Sequence, residues 1–331
     1  MKPVLDYGFR FQTGYRVLMS MSPFEGKGHT LSVFTRVTPR AEGTAPVHLL
    51  SRQSLPEIPK TKQEMTFGGS FLIGEGAYDV NWVLVDERNR VCRKNWHLEV
   101  KRSHAERTVT VAMPPNTVWD YSLRGARLQP KPTDDAEAIR LSILINAAPL
   151  YQRRTRLHAG DVGTLMSALG SLLEHVPTRG VRLVVFNLEQ QRELYRNTDF
   201  KLSRIPEVAA TMNAIELNTV DYQVLKNRRG HVDLVADMVN QEIQADPQSD
   251  VVLVMGPESR FFDRMPAERL LGLSKPAPRF LNLQIIPLMA APTGLPDVIG
   301  SAVARLGGKT VAVHSPGDFA KAIARLEENR R

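Results

Sequence analysis

Hydrophobic and polar positions change their rhythm once along this chain, near residue 130. Before that point apolar residues alternate with polar ones. In Ala77–Asp86 the side chains of Tyr78, Val80, Trp82 and Leu84 fall on one side and Asp79 and Asn81 on the other, which predicts a half-buried strand. Val91–Lys101 repeats the pattern, and the polar D-E-R-N-R between the two predicts a hairpin. Thr30–Thr38 and Thr108–Met113 are rich in β-branched residues and read as further strands. Gly68-Gly69, Gly74 and Gly76 punctuate the approach to the hairpin. Several short strands without a helical period predict a β-sandwich over residues 1–113.

Residues 114–137 carry Pro114, Pro115, Pro130 and Pro132 and end in P-T-D-D-A-E, the composition of a linker. From residue 138 to 331 short apolar runs alternate with helical periods. Ile139–Ile145, Val181–Phe186, Asp250–Met255 and Phe280–Pro287 read as buried strands, with Thr310–His314 closing the set. Arg192–Arg196 follows its predecessor too closely for a helical crossover and reads as an antiparallel edge strand. Helices are expected at Gly160–Val176, Ile205–Ile215, Val232–Ile243, Pro296–Leu306 and from Ser315 onward. Gly307-Gly308 suits a helix C-terminus, and S-P-G-D a capped helix start. Alternating strands and helices predict a doubly wound α/β domain. Such a domain binds ligands outside the carboxyl ends of its strands, where the strand order reverses. The loop after Ile145 is the expected place.

The chain has 331 residues and a net charge of +8. That balance favours anionic partners without defining a fold. Basic and aromatic residues do not interleave as they do in nucleic-acid modules, so nucleic acid is not the expected partner. The single cysteine, Cys92, excludes an internal disulfide and reads as a small buried residue beside Trp82 and Trp96. No run of ~20 apolar residues suggests a membrane span, and the N-terminus lacks the apolar core of a signal peptide. A mature exported protein would read the same, and export is the expectation, with a cytoplasmic location open. No glycine-rich phosphate loop, G-x-S-x-G, H-E-x-x-H or paired-cysteine motif is present, which leaves no catalytic residue and no cofactor to assign.

The block from Ile139 to Leu326 resembles a von Willebrand factor A domain. The likeness rests on the order apolar strand, long helix, strand pair, helices and V-V-L-V-M, and on the ending P-D-V-I-G-S-A-V-A-R-L-G-G-K-T-V-A-V-H-S-P-G-D-F-A-K-A-I. The preceding β-rich block is similar to an accessory domain beside this module in some acidobacterial-type proteins. Metal-binding members carry D-x-S-x-S after the first strand, completed by a distant threonine and aspartate. The corresponding residues here are Asn146, Ala147, Ala148, Pro149 and Leu150. G-P-E-S stands where the family often shows D-G, and N-R-R-G-H-V lacks the threonine. The resemblance therefore implies a degenerate metal-ion-dependent adhesion site that takes no metal. It also implies a non-enzymatic protein-binding or adhesion role at the bacterial envelope. A structural subunit of a larger assembly and a small-molecule enzyme on a doubly wound sheet remain open.

Basic residues surround the altered motif. Arg153, Arg154 and Arg156 follow the first strand; Lys226, Arg228, Arg229 and His231 precede a helix; Arg260 and Arg264 follow the strand ending at Met255. On this fold all three segments fall on one rim. There the arginines either grip an acidic protein surface or an anionic glycan, or are solvated loop charges. His158 and His231 read as loop histidines without a nearby acid, and Asp161 and Asp233 as helix-start carboxylates.

Overall fold

The computed structural model describes residues 1–121, 138–151, 154, 156–215, 222–273, 277–287, 294–295 and 297–328. The chain divides into two compact units, Met1–Arg124 and Gly125–Arg331.

The first unit is antiparallel β-structure. One sheet has the order β1-β2-β5-β8, formed by Val4–Leu5, Phe11–Ser20, Glu64–Ile73 and Val118–Asp120. The other has the order β4-β3-β6-β7, formed by Val47–Ser54, Thr30–Pro39, Gly76–Asp86 and Val91–Val100. Phe67 of the first sheet and Leu31, Val33, Trp82 and Leu84 of the second share one core. Alternation therefore places the strands well, and the hairpin turns through Asn89 at a φ of 59°. The polar tip of that hairpin is tied down as well, because Glu87 reaches across to His29.

Three expectations in this unit are corrected. Thr108–Met113 forms no strand; Val109 and Met113 enter the core from turn and irregular backbone, while Thr108 and Thr110 are exposed. Gly68 and Gly69 precede the hairpin as expected but do not punctuate the chain there, because they lie inside β5. Gly14 of β2 and Gly69 pack so closely that a Cβ on Gly14 would come 1.9 Å from the Gly69 carbonyl oxygen. Cys92 is exposed, because β7 is an edge strand whose residues from Val91 to Asn95 are all exposed.

The second unit holds a six-stranded sheet of order β11-β10-β9-β12-β13-β14. These strands are β9 Ile139–Asn146, β10 Thr178–Asn187, β11 Arg192–Asn197, β12 Val251–Gly256, β13 Arg279–Ile285 and β14 Lys309–Val313. All neighbours pair in parallel except β11, which runs antiparallel at the edge. The helices are α1 Ala159–His175, α2 Ile205–Asn213, α3 Tyr222–Lys226, α4 Gly230–Gln244, α5 Val298–Arg305 and α6 Pro316–Glu328. The chain builds outward from β9 to β10 and then returns to place β12 on its other side, so the order reverses between β9 and β12.

Every residue of β12 and all but Arg140 of β9 are buried, as expected of central strands covered on both faces. Leu144, Val184, Val252 and Val254 pack against Val235, Val239, Ile299 and Val303 of α4 and α5. Beneath that face lies a buried polar cluster. Glu242 of α4 accepts from Ser142 at 2.5 Å and pairs with Arg182 at 2.8 Å, while Arg196 approaches its other oxygen at 3.5 Å. A carboxylate this deep needs such partners to remain charged. Gly307, at a φ of 73°, ends α5 as its residue type predicts.

Candidate functional site: the carboxyl edge of the six-stranded sheet

Asn146 ends β9 at the reversal of strand order and is 1% exposed. Its amide nitrogen donates a long hydrogen bond, 3.4 Å, to the Pro257 carbonyl, and its Oδ1 has no partner among the described residues. The next strand presses on it: a Cβ at Gly256 would stand 2.8 Å from the Asn146 carbonyl oxygen. Ala147 is fixed by its N–H to the Phe186 carbonyl at 2.8 Å and by Asn187 Nδ2, which donates to its carbonyl at 2.7 Å. Hard divalent cations are held by several carboxylate, hydroxyl or carbonyl oxygens at 2.0–2.6 Å in general. Around Asn146 the side chains supply one amide oxygen and the hydrocarbon of Ala147 and Leu150. Two carboxylates of this edge are committed elsewhere, Asp161 to Arg154 and Glu189 to Arg260. These residues do not fit magnesium or manganese.

Three contacts knit the loops at this edge together. Arg260, after β12, pairs with Glu189, after β10, at 3.2 Å, and its other terminal nitrogen donates to the Arg154 carbonyl. Gln191 donates through Nε2 to the Asn227 carbonyl at 2.9 Å, which holds the α3–α4 turn against the β10–β11 tip. His231, in the first turn of α4, lies 2.7 Å from Asp263 and stacks on Phe261 with ring centroids 4.2 Å apart. The basic segments found in the sequence thus share one edge.

The predicted residues differ in what they do there. Arg153 lies outside the described residues. Arg154 covers the Tyr151 ring at 4.3 Å and pairs with the buried Asp161 at 3.2 Å. Asp161 also accepts the His158 N–H at 2.9 Å, so it does close the start of α1. Arg154 and Arg260 are therefore struts of the loop framework. Arg156 is exposed. Lys226 lies 4.9 Å from the Tyr222 ring centroid. Arg228 and Arg229 are exposed, and their guanidinium groups have no ion pair among the described residues. Arg229 is also the N-cap residue of α4, its carbonyl accepting from Val232 at 2.8 Å.

His231 is corrected in two respects. It is 3% exposed rather than a free loop residue, and it has an acid beside it, supplied by the β12 loop. Its Nδ1 is buried without a partner among the described residues. A catalytic base must reach a substrate proton; here Nδ1 is enclosed and Nε2 is held by Asp263.

Sequence reasoning missed four acids that shape the edge: Glu189, Asp263, Asp161 in its pairing role, and Asp297. Asp297 is buried at the start of α5, where its carboxylate accepts from Gly300 N at 2.6 Å, Ser259 N at 2.8 Å and Gln284 Nε2 at 3.3 Å. Burial lifts its carboxyl above the ordinary aspartate range against the pull of those hydrogen bonds. An aspartate directly before the apolar run V-I-G-S-A-V was the available signal for this cap. The partners of Glu189 and Asp263 are remote in sequence and leave no such trace.

Three exposed aromatic side chains stand on the same edge: Tyr222 at 66%, Phe262 at 41% and Tyr151 at 38%. No group of three or more His, Cys, Asp or Glu side chains among the described residues could hold a metal ion. Among those residues no helix is long and apolar enough to cross a membrane.

No family model matches the chain, and no curated protein matches it. Superoxide reductase (neelaredoxin) from Ignicoccus hospitalis aligns with a TM-score of 0.19 and 14% identity, over 27% of this chain and 70% of that one. Beta-glucuronidase 2 from Bacteroides uniformis aligns with a TM-score of 0.22 and 10% identity, over 86% of this chain and 35% of that one. Likenesses this slight carry neither the fold nor a function.

Proposed function

We propose that this is a non-enzymatic interaction protein that docks an acidic protein partner on the carboxyl edge of its α/β unit, without a metal ion. The observation that carries the reading is the composition of that edge. Tyr151, Tyr222 and Phe262 are exposed on the edge that also carries Arg228 and Arg229, which have no ion pair among the described residues. Tyrosine, phenylalanine and arginine are the types enriched where proteins bind one another, because they offer large rigid contact area and several donors. Around these residues the edge is pre-organised, since Arg154, Arg260, Gln191 and His231 hold its loops by internal contacts. A pre-ordered surface loses less entropy on binding.

The unit reads as a von Willebrand factor A-like domain in which direct arginine contacts replace the metal bridge. The order of its elements and the residues at Asn146, Ala148 and Leu150 support that reading. It brings with it an adhesion or assembly role at the bacterial envelope. The enclosed imidazole of His231 weighs against the enzyme alternative.

Reversing both free charges with Arg228→Glu and Arg229→Glu tests the docking role by pull-down of the native partner from its source cells. Loss of capture, unaffected by EDTA in the wild-type protein, is expected. Undiminished capture by the double variant would remove the edge from the interaction.

A further inference from the structure

We propose that the outer face of the β4-β3-β6-β7 sheet is a docking surface for an anionic lipid bilayer. This inference concerns the first unit and does not depend on the reading of the carboxyl edge.

The strand register assembles the face row by row. Arg52 of β4, Ser32 of β3, Val85 of β6 and Val91 of β7 form one row, and Leu50, Phe34, Val83 and Arg93 the next. His48, Arg36, Asn81 and Asn95 form a third. These positions alternate with the inward-facing Leu31, Val33, Trp82 and Leu84, so they point away from the core. Leu50 is 63% exposed, Val91 49% and Phe34 48%. Val83 and Val85 fill the space between them at intermediate exposure. The result is a continuous apolar centre flanked by three exposed arginines.

No acid falls in these three rows. The acids next to them are already engaged: Asp79 with Arg40 and His97, and Glu87 with His29. Arg36, Arg52 and Arg93 have no ion pair among the described residues. Unbalanced charge around exposed hydrocarbon calls for an occupant that is anionic and apolar together.

The character of the face selects among such occupants. A second copy would set arginines against arginines. A single-stranded nucleic acid uses several stacked rings, and the three rows offer only Phe34 and the imidazole of His48. Four strands at the usual spacing of ~4.8 Å make a broad, shallow plane. A bilayer surface matches it without needing a shaped counterpart. Arginine stems lie along hydrocarbon while their guanidinium groups reach outward. In this placement they meet lipid phosphates as Phe34, Leu50 and Val91 enter the interfacial layer. Each basic residue near an anionic leaflet strengthens attachment about fivefold at modest ionic strength.

The test is flotation of the full chain with vesicles of phosphatidylcholine alone or mixed with phosphatidylglycerol. The wild-type protein is expected to float with the phosphatidylglycerol vesicles only. Arg36→Glu with Arg52→Glu should weaken binding about 30-fold or more. Phe34→Thr with Leu50→Thr, which introduces β-branched strand formers, should weaken it about tenfold. Arg228→Glu with Arg229→Glu should leave it unchanged, which separates this surface from the carboxyl edge of the other unit. Wild-type melting temperatures in all three variants establish that they fold. The proposal is overturned if the wild-type protein ignores the anionic vesicles, or if the Thr variant binds as well as wild type. It is also overturned if both pairs of charge reversals weaken binding equally, since the attraction is then the general one of a basic protein. Binding to polyaspartate through Arg36 and Arg52 without any binding to vesicles would assign the face to an acidic protein instead.

Discussion

Arg260 Nη1 stands 3.2 Å from Glu189 Oε1, and the same guanidinium donates to the Arg154 carbonyl from its other terminal nitrogen. One side chain from the loop after β12 thereby fastens the loops after β10 and β9. The carboxyl edge of the sheet is held by its own ion pairs at the place where related folds leave an open crevice.

Arg260→Ala should therefore loosen the edge more than it destabilises the protein. The pair is about a third exposed, with side-chain values of 32% and 27%, so its loss should cost under about 1 kcal/mol. Amide hydrogen exchange in residues 147–151, 156–158 and 187–191 should quicken nonetheless. Unchanged exchange there would show that the contact does not restrain the loops.

Glu242 makes a larger prediction. Its carboxylate is 1% exposed and faces Arg182, itself 10% exposed. Glu242→Ala leaves a buried guanidinium uncompensated, at an expected cost of about 3–5 kcal/mol in denaturant unfolding. Removing both charges with Arg182→Met and Glu242→Leu should recover most of that loss, because a buried pair replaced by hydrocarbon is often close to neutral. A double variant as unstable as the single one would mean that the geometry of the cluster, not its charge balance, is what matters.

The His29–Glu87 pair predicts a pH window. Their side chains meet at 2.7 Å. The Glu87 hydrogen bond, helped by the Glu25 carbonyl, raises the imidazole above its ordinary 6.5. Its stabilising effect is then complete below pH 6.5 and fades as pH climbs through the raised value. The same hydrogen bond lowers Glu87 below its ordinary 4.5, so that effect is present above pH 4.5 and fades as pH falls through the lowered value. The contact should be strongest between those limits. Imidazole NMR titration should show the His29 midpoint falling toward 6.5 in Glu87→Gln; an unmoved midpoint contradicts the assigned cause.

Much of this architecture was legible in the sequence, and the exceptions share a reason. Strand β9 and helix α1 were placed to within about a residue because apolar period and chain length both mark a buried element. Arg192–Asn197 was recognisable as an antiparallel edge from the short connection before it. Alternation, however, does not say whether a strand is central or at an edge, and so Cys92 was placed in the core. Thr108–Met113 has strand-forming residues but no partner strand, which only the assembled sheet reveals. At the candidate site the loop positions and the altered motif were readable. The assignment of Arg154 and Arg260 to internal pairing was not, because Asp161 and Glu189 become their partners only once the strands are side by side. Free and committed arginines have the same letter in a sequence.

The proposed docking of a partner on the carboxyl edge runs through Tyr222, Arg228 and Arg229 without a metal ion. It is tested most directly by placing a photo-crosslinking residue at Tyr222 and irradiating the protein in its source cells. One discrete protein adduct is expected, retained in EDTA and lost when Arg228 and Arg229 are changed to Glu. An adduct that survives the charge reversal or disappears with EDTA, or no adduct at Tyr222 at all, would contradict it.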